Sequence, residues 1–79
     1  MISLTLYTTA GCHLCELAED ILSLAQANYD LSIKHTEIGD DDDLVGRYGI
    51  RIPVIKFPDG SELGWPFELS DIESKLIPL

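Results

Sequence analysis

An α/β fold with a mixed four-stranded sheet is what the sequence predicts, and three observations carry that expectation. Apolar and polar residues alternate over 2–7, a helix-periodic segment follows over 12–28, and a β-favouring stretch occupies 31–38. A strand, helix, strand order of this kind implies a right-handed crossover between parallel strands. Farther along, Val54-Ile55-Lys56-Phe57 and Ser61-Glu62-Leu63-Gly64-Trp65 flank the tripeptide Pro58-Asp59-Gly60. There Pro fixes φ and Gly accepts positive φ, so the two flanks pair as an antiparallel hairpin.

The first strand places Ile2, Leu4 and Leu6 on one face, with Ser3 and Thr5 between them. Thr8-Thr9-Ala10-Gly11 then forms a turn. From Cys12 to Asn28, Leu14, Leu17, Ala18, Ile21, Leu22 and Ala25 recur at three- and four-residue spacing, with Glu16, Glu19 and Asp20 on the other side of a helix. Asn28-Tyr29-Asp30 ends it, and Leu31 to Ile38 forms the second strand around Ile33, Thr36 and Ile38. Asp40-Asp41-Asp42-Asp43 precedes a short helix over Leu44 to Gly49. The aspartates suit a cap and the positive helix terminus, and their spacing is wrong for a calcium loop, which needs alternating ligands and a distal Glu. Pro66 halts the last strand. Ser70-Asp71-Ile72-Glu73 reads as a capping box for a final helix with Ile72, Leu76 and Ile77 inward, ended by Pro78. The resulting order is β-α-β-α-β-β-α in a single domain over residues 1–79.

Seventy-nine residues bury a small core, and hydrophobic residues at 46% suit a compact domain rather than a disordered chain. Fourteen acidic against five basic residues leave a formal net charge of −9. Nucleic acid and other polyanions are therefore repelled as partners. The stretch from Met1 to Tyr7 shows no basic leader, and no apolar run is long enough to cross a bilayer. The expected location is the cytoplasm, with no membrane partner and a monomeric state.

Cys12 and Cys15 are the only cysteines. In the cytosol a Cys-x-x-Cys pair points to catalysis or metal binding rather than to a structural bridge, and so short a loop removes little unfolded-chain entropy. Cys12 falls at the helix start, where free backbone N–H groups favour a thiolate, whereas Cys15 shares a face with Ala18 and Leu22 and points inward. Cys12 is thus the expected nucleophile and Cys15 the sheltered resolving thiol. His13, when protonated, either stabilises the thiolate or stands as an exposed helix-start residue. Glu16 and Glu19, at i+4 and i+7 from Cys12, oppose a negative sulfur. These opposing influences predict a Cys12 pKa of roughly 6.5 to 8, below the free value of about 8.5. His35 is expected at the surface, and Tyr7 either lines the cleft or packs.

The element order, the Cys-x-x-Cys at the first strand-to-helix junction, and Tyr48-Gly49-Ile50-Arg51-Ile52-Pro53-Val54 followed by Pro58-Asp59-Gly60 together resemble the thioredoxin superfamily, closest to small glutaredoxin-like proteins. The resemblance spans nearly the whole chain and implies a thioredoxin-like three-layer sandwich. It also implies that the Ile52–Pro53 peptide is cis and faces the two sulfurs across a small cleft, where the Ile52 backbone pairs with an extended substrate. Glutaredoxins usually carry Pro-Tyr between the cysteines, a basic residue just before them, and a Gly-Gly pair after the last strand. Here His13-Leu14, Thr8-Thr9-Ala10-Gly11 and Gly64-Trp65-Pro66 stand in those places. With a net charge of −9, and only Arg47, Arg51 and Lys56 as candidates to face the cleft and oppose the repulsion of anionic glutathione, these departures weigh against glutathione as substrate. Thioredoxins carry a Trp before the first cysteine, which is absent here. Trp65, with Pro66 and Phe67, either walls the cleft against an apolar partner or fills the core.

The leading functional expectation is a thiol–disulfide oxidoreductase serving cell redox homeostasis, with catalytic Cys12 and Cys15 and with His13, Ile52, Pro53 and Trp65 at the substrate. It acts on a disulfide-containing protein or small thiol, draws on an external thiol reductant, and requires no cofactor or metal. One alternative is a protein whose two thiolates bind zinc, or an iron–sulfur cluster shared between chains as in some glutaredoxin-like proteins. Two thiolates do not close a tetrahedral site, so another chain or glutathione would have to complete it. The other alternative is a redox-inactive adaptor on the same fold.

Overall fold

The computed structural model describes residues 2–76, arranged as β1 (Ile2–Thr8), α1 (His13–Gln26), β2 (Leu31–Glu37), α2 (Asp42–Tyr48), β3 (Val54–Lys56), β4 (Glu62–Gly64) and α3 (Leu69–Leu76). The strands form one mixed sheet in the order β2-β1-β3-β4. β1 runs parallel to β2, with Ile2 opposite Leu31 and Thr8 opposite Glu37, and antiparallel to β3, with Tyr7 opposite Val54. β3 and β4 are antiparallel across the Pro58-Asp59-Gly60 turn. This is the thioredoxin-like α/β architecture that the sequence predicts.

Alternation along β1 and β3 divides the core between the two faces of the sheet. Leu4, Leu6, Ile55 and Phe57 pack with Ala18, Leu22 and Ala25 of α1 and with Ile72 and Leu76 of α3. On the other face Val54 joins Ile38 and Tyr48, with Tyr7, Leu44 and Ile52 against them. The seven-residue α2 thus covers only the end of the sheet where β1 finishes and β3 begins, and Ser3 near the start of β1 is exposed. Three layers result, and α2 with its cluster supplies the third.

Local chemistry fixes the element ends. Asp41 caps α2, its Oδ1 accepting the N–H groups of Asp43 at 2.9 Å and Leu44 at 3.3 Å, so the aspartate run acts as a helix cap. In the hairpin, Gly60 takes φ +89° and Asp59 Oδ1 accepts both the N–H and the hydroxyl of Ser61, at 2.9 and 2.7 Å. Those bonds hold the Asp59 carboxyl below its usual range. The final helix departs from the sequence expectation. It starts at Leu69, so Ser70 is its second residue rather than its cap, and Asp71 Oδ2 accepts the Glu68 N–H at 2.8 Å. The earlier start brings Leu69 onto the same stripe as Ile72 and Leu76, a gain in apolar burial that a start at Asp71 would forgo. Expectations for Ile77 and Pro78 lie outside the described residues. Among the described residues no helix is long and apolar enough to cross a membrane.

Leu6 is 0% exposed in the strand that pairs on both sides. Leu6→Ala is expected to lower the unfolding free energy by about 2–5 kcal/mol. Leu24→Ala, at a position 57% exposed, should change it by less than about 1 kcal/mol. Urea denaturation followed by circular dichroism checks both values, and equal losses would contradict this account of the core.

Candidate functional site

The site begins where β1 runs out. Gly11 adopts φ +78°, a conformation that favours glycine, and the Cys12 N–H closes the turn onto the Thr9 carbonyl at 3.2 Å. Cys12 then occupies the N-cap position of α1 with φ −80° and ψ 105°. Its Sγ accepts the Cys15 N–H at 3.1 Å, taking the place that a Ser or Asp oxygen fills in most helix caps. A disulfide joins Cys12 to Cys15, with the Cα atoms 5.2 Å apart. Cys15 is 3% exposed on the inward face with Ala18 and Leu22, whereas Cys12 is half-buried. The two sulfurs therefore differ in access, and the more accessible one sits at the positive end of a fourteen-residue helix.

The neighbouring charges are arranged otherwise than the sequence suggests. His13 lies 80% exposed with Nδ1 3.4 Å from Glu16 Oε2, so its side chain meets a carboxylate. Glu19 turns to β2, where its Oε1 meets His35 Nε2 at 2.7 Å. Both carboxylates expected to oppose the thiolate thus face a histidine, which weakens their opposition whenever the imidazole is protonated.

Pro53 and Ile52 reach the same end of the sheet through strand register. Tyr7 pairs with Val54, so Pro53 leads into β3 at the end of the sheet where β1 runs on toward the Cys12 turn. The Ile52–Pro53 peptide is cis, as is Trp65–Pro66. Pro53 is fully buried and its carbonyl accepts the Trp65 N–H at 3.0 Å. Ile52 is half-buried, and its N–H already donates to the Tyr48 carbonyl at 2.9 Å. The Trp65 ring packs edge-on against Phe67, with centroids 5.1 Å apart, and leans on the main core while remaining half-buried. Cavities of about 190 Å³ between α1 and β2 and about 380 Å³ beside Phe57 and Leu76 contain neither cysteine. Among the described residues no group of three or more His, Cys, Asp or Glu side chains is placed to hold a metal ion.

Behind Ile52 lies a cluster that sequence reasoning missed. Tyr48 stacks on Tyr7 with centroids 4.3 Å apart, its hydroxyl donates to Glu62 Oε2, and Arg51 lies over its ring at 5.4 Å. Arg51 also approaches Glu62 Oε1 at 3.4 Å. Arg51 is one of the three cations named as candidates to face the cleft, and it is engaged by a carboxylate. The Tyr48 bond, ahead of Arg51, holds the Glu62 carboxyl below its ordinary value, and the same bond with burial pushes the Tyr48 phenol up to about 12. Tyr48 and Glu62 lie on different elements and follow no short-range pattern, so the sequence offers no signal for their contact.

A family model described as a glutaredoxin-like domain matches residues 3–77. Among solved structures, target protein XcR50 from X. campestris shares 39% identity, with a TM-score of 0.83 over 95% of this chain and 99% of that one. Protein Ne2328 from Nitrosomonas europaea shares 25% identity, with a TM-score of 0.81 over 98% and 92% of the two chains. A mutant thioredoxin from Halobacterium salinarum, 18% identical, superposes with a TM-score of 0.71 over 94% of this chain and 70% of its own, a likeness of fold. Comparison with curated proteins gives no match.

The Tyr48–Glu62 bond couples stability to pH at both ends of the scale. Glu62, with its pKa lowered from 4.5, contributes stability above the unfolded value, and this is lost as pH falls through the lowered one. Tyr48, with its pKa raised, contributes stability below 10 that is lost as pH rises through about 12. Spectrophotometric titration should show a tyrosinate step near 12 that is missing from Tyr48→Phe, and the variant's acid unfolding should begin at higher pH. Loss of a step at the ordinary tyrosine value of 10 instead would show that the bond does not form.

Proposed function

The chain belongs to the glutaredoxin-like domain family, and on that footing we propose that it is a thiol–disulfide oxidoreductase that reduces or exchanges disulfides through Cys12 and Cys15. The observation that carries this reading is the inequality of the pair: Cys12 is half-buried at the helix N-cap with an N–H aimed at its sulfur, and Cys15 is buried behind it. A charge-assisted bond and a helix terminus both favour a thiolate at Cys12.

In the reduced protein, the Cys12 thiolate attacks one sulfur of a substrate disulfide, forming a mixed disulfide and expelling the other sulfur as a thiolate. Cys15, once deprotonated, attacks Cys12 Sγ, forms the intramolecular disulfide and releases the second substrate thiolate. Two electrons pass to the substrate, and an external thiol reductant restores the dithiol. The partner is a disulfide in a protein segment lying along Ile52 and Pro53, with His13 and Trp65 at the margins. Because the Ile52 N–H is engaged by Tyr48, such a segment pairs with the Ile52 carbonyl. Glutathione fits this surface poorly, since Arg51 is held by Glu62 and the net charge is −9. The protein acts as a cytoplasmic monomer and draws on no metal or other cofactor.

The deciding experiment is the reduction potential of the pair, measured by counting free thiols after equilibration against glutathione and thioredoxin buffers. A reversible two-electron transition is expected. Cys12→Ser should lower disulfide reduction by more than about a hundredfold, and Cys15→Ser should accumulate the mixed disulfide. A pair locked in one state, or full activity without Cys12, would overturn the proposal in favour of metal binding or an adaptor role.

A further inference from the structure

The turn that delivers Cys12 is held from outside by a residue of another strand. Glu37, the last residue of β2, accepts the Ala10 N–H on Oε1 at 2.8 Å and the Gly39 N–H on Oε2 at 2.7 Å, and the Thr9 side chain also bonds its carboxylate. The Ile38 N–H reaches the Thr8 carbonyl at 2.9 Å, which extends the β1–β2 pairing to the edge of the turn. Thr9 and Ala10, the residues that Glu37 grips, lie just upstream of Cys12, whose own N–H closes the turn on Thr9. One carboxylate thus ties the cysteine turn to the loop between β2 and α2.

We propose that Glu37 is a positioning residue for Cys12: by fixing Thr9 and Ala10, it keeps Cys12 in the N-cap conformation in which Sγ faces the Cys15 N–H, and so governs how strongly the helix terminus stabilises the thiolate. The inference rests on Cys12 being the attacking thiol. Carboxylate bonds to backbone N–H groups are among the stronger ones available to an exposed turn. The negative charge of Glu37, taken alone, disfavours a nearby thiolate. Positioning and bare charge therefore act in opposite directions, which makes the role separable by experiment.

Gly39 supplies a second handle that leaves the charge in place. A Cβ there would lie 3.0 Å from Glu37 Oε2 and 3.3 Å from Thr9 Oγ1, so Gly39→Ala crowds the carboxylate by a few tenths of an ångström without removing it. The test titrates Cys12 by thiolate absorbance in the full chain carrying Cys15→Ser, alone and combined with Glu37→Gln or Gly39→Ala. Both changes are expected to raise the Cys12 pKa by about half a unit, a fraction of what a helix terminus gives an ion. A lower pKa in Glu37→Gln with no change in Gly39→Ala would reduce Glu37 to its charge and overturn the proposal. Parental titration in both, even with reduced stability, would leave Glu37 a merely structural clamp and overturn it equally. Should Glu37→Gln fail to fold, Glu37→Asp, which keeps the charge but falls one methylene short of the Ala10 N–H, replaces it with the same expected rise, and a parental titration in it would overturn the proposal. The titration needs no turnover, so its outcome stands apart from whether the protein reduces disulfides.

Discussion

Packing of α1 against the central strand is the constraint on which the remaining structure depends. Leu4 and Leu6 of β1 accept Ala18, Leu22 and Ala25 of α1, and the helix rotation that buries those three residues also turns Cys15 inward. The same docking leaves the helix start beyond the end of the sheet, where Cys12 is half-buried. The unequal access of the two sulfurs is thus a by-product of hydrophobic burial: no separate device is required to shelter one and present the other. Because β1 pairs with β2 and β3 at once, the turn carrying Cys12, the Glu37 carboxylate and Pro53 all gather at one end of the sheet.

That end is built from two kinds of information. Strong periodic signals, such as the α1 stripe and the Pro58-Asp59-Gly60 turn, are local and survive in the sequence as spacing. The order of elements, the inward face of Cys15 and the capping role of the aspartates were legible for that reason. What was not legible is long-range and polar: Tyr48 with Glu62, Glu19 with His35, Glu37 with Ala10 and Gly39. Each joins residues from different elements, and a carboxylate on a strand looks alike in sequence whether it clamps a turn or faces water. The start of α3 was missed for a related reason. Ser70 offers a good cap and Glu68 a poorer one, but the burial of Leu69 outweighs the difference between caps, which is about 1 kcal/mol or less.

Electrostatics around the cysteines follow from these pairings. A chain with net charge −9 surrounds a nascent thiolate with repulsion, but the carboxylates nearest to it in sequence are turned toward His13 and His35, and Glu37 toward backbone donors. Those donors hold Glu37 below its ordinary pKa, so its grip on the turn persists well into mildly acidic conditions. The protein thereby keeps a strongly acidic surface, useful for solubility, without directing that acidity at the sulfur.

The two outer strands have a bearing on how the protein behaves in a crowded solution. β2 carries exposed Lys34, His35 and Glu37 along its length, and β4 has only three residues, with Gly64 its last and Pro66 soon after it. Short strands, charges and prolines are the features that make a sheet border a poor template for a neighbour's strand. The sheet thus discourages the addition of other strands along its sides, and with it the edge-to-edge growth that leads to aggregates.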